Sequence, residues 1–179
     1  MISYYLKYLT LAVLFVSVVS FAQSNNSSEN FSIGYGNSMY KDINTEQLLL
    51  LYKVPQLSVD FGNLSLNGDL NLELISHNKS TVMVAGFVPM LRYYLNLGFT
   101  KTFLSLGIGF NYLNNHNIGS RNLGSHFIFS DNLSIGTKLI DNEYFKVEVS
   151  YLFRHISNAG IFSSNEGFNS QYLVLSLTI

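Results

Sequence analysis

The sequence predicts an all-β chain, an eight-stranded antiparallel transmembrane β-barrel of the outer-membrane type, and three observations carry that expectation. The composition is apolar and poor in charge, with 47% hydrophobic, 15% aromatic and 12% charged residues, where soluble domains usually carry about 25% charge. Beyond the N-terminal segment no run of about 20 apolar residues occurs, so no helix there is long enough to cross a bilayer. Hydropathy instead alternates with period two over stretches of roughly ten to fifteen residues, which suits strands that cross an outer membrane.

The formal net charge of -1 excludes the basic footprint that nucleic acid demands. With no cysteine in the chain, neither a disulfide framework nor a thiolate metal site exists. The first residues read as a targeting segment. Lys7 gives a positive start, Leu9 to Val19 an apolar core, and Ser20-Phe21-Ala22 puts small residues on either side of Phe21 ahead of a cleavage point. Residues 1–22 are therefore read as a signal peptide and residues 23–179 as a single barrel domain. The polar run Ser24-Asn25-Asn26-Ser27-Ser28 reads as a solvated leader.

Phe31 to Gly36 alternates large and small residues and is the first expected strand. The loop after it holds Asn37-Ser38 and Lys41-Asp42-Ile43-Asn44, residue types that favour turns. Gln47 to Phe61 is irregular: Leu48-Leu49-Leu50-Leu51 does not alternate, and Pro55 cannot donate to a ladder, so a bulge is expected there. From Leu64 the pattern sharpens, with Leu64, Leu66, Leu70, Leu72 and Leu74 on one parity and Ser65, Asn67, Asp69, Asn71 and Glu73 on the other. Thr81 to Asn96 is apolar on both faces, with a kink expected at Pro89. In Thr102 to Asn114 the large residues Leu104, Leu106, Ile108, Phe110 and Tyr112 alternate with Ser105, Gly107, Gly109 and Asn111, and a face of small residues suits a narrow, filled interior. A long polar connection from Asn114 to Asn122 precedes a sixth strand from about Gly124 to Ile140. The seventh runs from Glu143 to Ser157 and the eighth from about Phe168 to Ile179.

Parity decides which residues face lipid. In the seventh strand Phe145, Val147, Val149, Tyr151 and Phe153 share a face with His155 and Ser157, because successive side chains of a strand alternate between faces. In the eighth, the apolar parity of Leu173, Leu175, Leu177 and Ile179 extends back to Asn169. A base, a hydroxyl and an amide therefore converge at the end of an otherwise apolar outer row, the minimum arrangement for activating a hydroxyl nucleophile. The bland reading is that they are interfacial polar residues of a barrel rim. His77, His116 and His126 are scattered without metal-ligand spacing, so no metal is expected. Asp69, Glu73, Lys146, Glu148 and Arg154 fall on lumen parities and are expected to pair inside, while Arg92, Lys101 and Arg121 are candidates to meet anionic headgroups.

The motif His155-Ile156-Ser157-Asn158-Ala159-Gly160 with Asn165-Glu166-Gly167, together with Asn122-Leu123-Gly124-Ser125 and the nearby Phe129 and Asp131, resembles the lipid A 3-O-deacylase (PagL) family of outer-membrane barrels. That resemblance covers roughly the C-terminal third. It implies a serine-type ester hydrolase acting on lipopolysaccharide, with Ser157 as nucleophile, His155 as base, and the Asn165 side chain and Gly160 N–H as oxyanion donors. The family's His-orienting Glu falls where this chain has Asn169. An amide oxygen still accepts the imidazole N–H but adds no charge; Glu166 is the alternative orienter, though it sits in a loop at the wrong parity. The implied partners are lipid A and membrane lipids in the Gram-negative outer membrane, with a homodimer left open and no cofactor. The competing expectations are a non-enzymatic eight-stranded barrel with a structural or partner-binding role, and a soluble periplasmic lipid-binding barrel.

Overall fold

The structure, a computed structural model, describes residues 30–179 apart from Phe99 and the Gln56 side chain; the signal peptide and leader read in the first 28 residues lie outside the described residues. The strands are β1 (Asn30–Ser38), β2 (Glu46–Phe61), β3 (Leu64–His77), β4 (Ser80–Asn96), β5 (Lys101–Leu113), β6 (Asn117–Ile118), β7 (Arg121–Asn122), β8 (Phe127–Asp141), β9 (Lys146–Ser157) and β10 (Phe168–Thr178). Eight of them close into an antiparallel barrel in the order β1-β10-β9-β8-β5-β4-β3-β2. The ladder of β1 with β10, from Asn30↔Thr178 to Ser38↔Ser170, makes the closure. Closure leaves no unpaired edge, the condition for a sheet to stand in lipid.

The expected parities set the two faces. Leu104, Leu106, Ile108, Phe110 and Tyr112 of β5 are exposed, whereas Phe103, Ser105, Asn111 and Leu113 are buried. Leu173, Leu175 and Leu177 of β10 face out while Ser170, Tyr172, Val174 and Ser176 face in. The small inward residues are needed: a Cβ on Gly107 would stand 2.1 Å from Met90 Sδ, and one on Gly109 2.5 Å from Ser130 Oγ.

The irregularity at Pro55 is a register shift between Val54 and Val59 in the β2–β3 ladder. It exchanges the parities, so Leu57, Val59 and Phe61 become the outward row of β2. The unalternating leucines are explained by two environments. Leu49 packs in the lumen with Leu152, Tyr172 and Val174, while Leu50 lies between its ladder partners Ile33 and Leu72. At Pro89 the β4–β5 ladder skips two pairs, between Phe87↔Phe110 and Met90↔Gly107, and keeps its register. The sixth barrel strand starts at Phe127 rather than Gly124, because Gly124 adopts φ +70°. The connection before it contains the small β6–β7 ladder, which sequence patterning missed.

The interior is filled in layers. Toward the end with the longer loops, Ile43, Ile75, Val82, Val84, Leu113, Ile118, Leu123, Ile128, Ile156 and Phe168 form an apolar plug. Below it Arg154 bonds Glu73 through Nε at 3.1 Å, Asn132 Oδ1 at 2.8 Å and Asn111 Oδ1 at 2.9 Å, and Tyr172 donates to Glu73 Oε1. Lower still, Arg92 pairs with Glu148 at 2.8 Å and lies 4.0 Å over the Phe103 ring. The lumen pairing expected for Glu73, Glu148 and Arg154 is thus observed, whereas that expected for Asp69 and Lys146 is not: Asp69 Oδ1 is buried without a hydrogen bond and Lys146 is exposed at the start of β9. Arg92, a candidate for headgroup contact, points into the lumen instead.

Candidate active site

His155 and Ser157 close the outward row of β9, both half-buried. No shift interrupts the β9–β10 ladder, which places Asn169 directly across from His155. There His155 Nδ1 and Asn169 Oδ1 stand 2.5 Å apart. An amide oxygen can only accept, so Nδ1 donates this bond and Nε2 is left facing away from Asn169. On the other side of β9, Phe129 of β8 is the ladder partner of Ser157. Phe129 also lines an apolar outer groove of about 610 Å³ with Ala85, Phe87, Phe110, Tyr112 and Phe127, so this groove reaches the strand beside the hydroxyl.

The loop after β9 is strained and heavily braced. Ala159, two residues past Ser157, has φ 54°, a left-handed conformation uncommon outside glycine that tends to mark functional loops. Its N–H donates to Ser157 Oγ at 3.3 Å. Asn158 is fully buried and holds the loop together: its Nδ2 donates to Leu123 O at 2.8 Å and Ser164 O at 2.6 Å. The Asn158 backbone N–H donates to Asn165 Oδ1 at 3.0 Å, which leaves the Asn165 Nδ2 as the donor end of that amide. Gly160 N–H donates to Asn158 Oδ1 at 2.9 Å, so of the two expected oxyanion donors Gly160 is already engaged within the loop.

Glu166 does not reach the imidazole. Its carboxylate accepts from Asn122 N–H, and its own N–H donates to Asn122 O at 3.2 Å. Its loop position, off the outward parity, is the reason. Arg121 clamps the same segment, donating to Glu166 O at 2.7 Å while its guanidinium lies 3.6 Å over the Tyr40 ring. It is therefore at the site end, whereas Lys101 sits at the opposite mouth, paired with Asp141 at 3.4 Å. His77 and His126 bond the backbone carbonyls of Asn44 and Leu113 at 2.7 and 2.8 Å, and His116 packs its ring on His126. Among the described residues no cluster of His, Cys, Asp or Glu has metal-binding geometry.

Two site residues were missed by sequence reasoning. Asn158 carried no signal beyond its place in the motif. Gly167 has φ +62°, and a Cβ there would stand 2.7 Å from His155 Cε1; its bare Cα is what lets the chain pass over the imidazole. Replacing Gly167 by Ala should tilt the ring and add the left-handed backbone cost of about 1–2 kcal/mol. Misplacement of a base by an ångström costs about 10²-fold, so activity is expected to fall by that order. The barrel should still migrate as a folded species in unheated electrophoresis samples; an active Gly167→Ala protein would remove the packing argument.

An eight-stranded closed antiparallel barrel, apolar outside and with His155 and Ser157 on one outward row, is of the outer-membrane barrel class. The family model described as Lipid A 3-O-deacylase (PagL) matches residues 33–178, and the chain belongs to that family. Membership supports a lipid A deacylase function in the Gram-negative outer membrane. The fold is similar to the crystal structure of the outer membrane enzyme PagL, with 24% identity, 82% of this chain and 97% of that one covered, and a TM-score of 0.61. It is also similar to Neisserial surface protein A (NspA), at 9% identity, 85% and 94% coverage and a TM-score of 0.55. These two likenesses bear on the fold alone. A search of curated proteins finds no match.

Proposed function

We propose that this chain, exported through the signal peptide in residues 1–22, is an outer-membrane esterase that removes the 3-O-linked acyl chain of lipid A with Ser157 as nucleophile. The observation that supports the reading is the His155–Asn169 bond on the outward row, which orients an imidazole two residues from a hydroxyl on the same face. Ser157 Oγ attacks the ester carbonyl carbon and its proton passes to His155 Nε2. The carbonyl oxygen becomes an oxyanion, for which Asn165 Nδ2 is the available donor; Gly160 N–H joins it on releasing Asn158 Oδ1. The bond to the sugar oxygen then breaks and that oxygen takes the proton from Nε2. Water, deprotonated at Nε2, attacks the acyl-serine carbonyl, and the fatty acid leaves as Ser157 recovers its hydrogen. The lipid-facing position lets the acyl chain stay in the bilayer throughout, with the groove beside Phe129 as an apolar surface to lie against.

Mass spectrometry of lipid A from cells expressing the chain tests this directly. The expected result is loss of one 3-O hydroxyacyl mass, absent with Ser157→Ala although that variant still inserts as a folded barrel. Full deacylation by Ser157→Ala would exclude this serine; an unchanged lipid A with the intact chain would exclude the substrate.

A further inference from the structure

Asn169 offers His155 an acceptor but no charge, so an imidazolium formed there has no carboxylate on the β10 side. On the β8 side the residue directly across from His155 is Asp131. Direct cross-strand partners place their Cβ atoms about 4.5–5.5 Å apart, so Asp131, His155 and Asn169 form one row across three neighbouring strands. Asp131 breaks the pattern of its own strand. The outward row of β8 otherwise reads Phe127, Phe129, Leu133 and Ile135, and Ile108 of β5 stands across its other side. Ionisable groups on an apolar membrane face are costly, and where they occur they mark a function or a partner. The Asp131 carboxylate makes no hydrogen bond or ion pair among the described residues, so the only charge it can answer on this row is one that arises during the reaction.

We propose that Asp131 is the charge partner of His155, stabilising the imidazolium that forms as Ser157 attacks. The role rests on the esterase reading above. Asp131 exchanges no proton: the Ser157 proton moves to Nε2 and on to the leaving oxygen, while the Nδ1 hydrogen stays on His155, donated to Asn169 Oδ1. Orientation and charge compensation, which one carboxylate could serve together, are thus divided between the two strands that flank β9.

Two readouts on purified protein in detergent micelles test the division: kcat and KM for lipid A deacylation, and the rate of Ser157 labelling by a fluorophosphonate, which needs no lipid A. Asp131→Asn is expected to lower kcat and the labelling rate together by about 10²-fold, the order lost with one electrostatic stabiliser, while KM stays within about twofold. Asp131→Glu, which keeps the charge, retains most of both rates. Introduced into Asp131→Asn, Asn169→Glu restores most of the loss, because it returns a carboxylate to the imidazole. A rise in KM with kcat unchanged would make Asp131 a substrate contact and overturn the proposal. Failure of Asn169→Glu to rescue a folded Asp131→Asn barrel would overturn it too. A wild type labelled at Ser157 but unable to deacylate lipid A overturns only the substrate reading, since the labelling rates still decide on Asp131. A wild type that is neither labelled nor active overturns both.

Discussion

Replacing His155 and Ser157 together is expected to cost no more deacylation than replacing Ser157 alone. Under the proposed mechanism each single alanine variant should lose about 10⁴–10⁶-fold, and the double variant the same, because a nucleophile and its base act as one unit and their losses do not multiply. The geometry gives the reason. Nδ1 is committed to Asn169 Oδ1 at 2.5 Å, so Nε2 is the one nitrogen of the ring that can take the Ser157 proton. Without it the hydroxyl stays protonated and is a weak nucleophile. Without Ser157 the base has only water to activate. The rate that remains in every variant is what the oxyanion donor and substrate binding provide, about 10³–10⁴ over the uncatalysed reaction in hydrolases of this design. Initial rates of fatty-acid release from lipid A micelles, measured for the four proteins, decide the matter. A His155→Ala protein with a tenth of the native rate would show that another group takes the proton.

The part of this site legible in the sequence is the part that period two controls. Counting from Tyr151 and Leu173 puts His155, Ser157 and Asn169 on one outer row, and the ladder keeps that count because no bulge lies between β9 and β10. The lumen charges Glu73, Glu148 and Arg154 were legible for the same reason. Where alternation fails, so does the reading. The sequence offers Arg92 as a headgroup candidate because β4 is apolar on both faces, so its parity carries no contrast; in the barrel it pairs with Ser65, on the lumen side. The Gly160 N–H looked free because loop hydrogen bonds depend on torsions, and the side chain that claims it belongs to Asn158, two residues earlier. Asp131 did leave a trace, as the one carboxylate interrupting Phe127, Phe129, Leu133 and Ile135, but its meaning depends on the β8–β9 register. Register between neighbouring strands is set by turn and bulge geometry, and the connection before β8 contains a small ladder that composition does not announce.

The interior makes a separate demand, and Arg154→Met is expected to show it. Arg154 is 1% exposed and its partner Glu73 0%. Removing the guanidinium leaves the Glu73 carboxylate with the Tyr172 hydroxyl alone and strips donors from Asn111 Oδ1 and Asn132 Oδ1. Breaking a buried pair from one side costs about 3–5 kcal/mol because the remaining charge stays desolvated and unpaired. Equilibrium unfolding by urea in lipid vesicles should show that loss as a lower midpoint, with a matching fall in the unheated, folded band on electrophoresis. Combining Arg154→Met with Glu73→Leu removes the stranded charge, and most of the stability should return, since replacing both members of such a pair by apolar groups is often neutral. Deacylation offers a control on the same proteins. Arg154 and His155 are adjacent in sequence but face opposite sides of the barrel wall, so activity per folded molecule should stay near native in the double variant. A midpoint unmoved in Arg154→Met would mean that water reaches the network and solvates Glu73. A double variant as unstable as the single would mean that the amides and the Tyr172 hydroxyl, rather than the carboxylate, need the guanidinium.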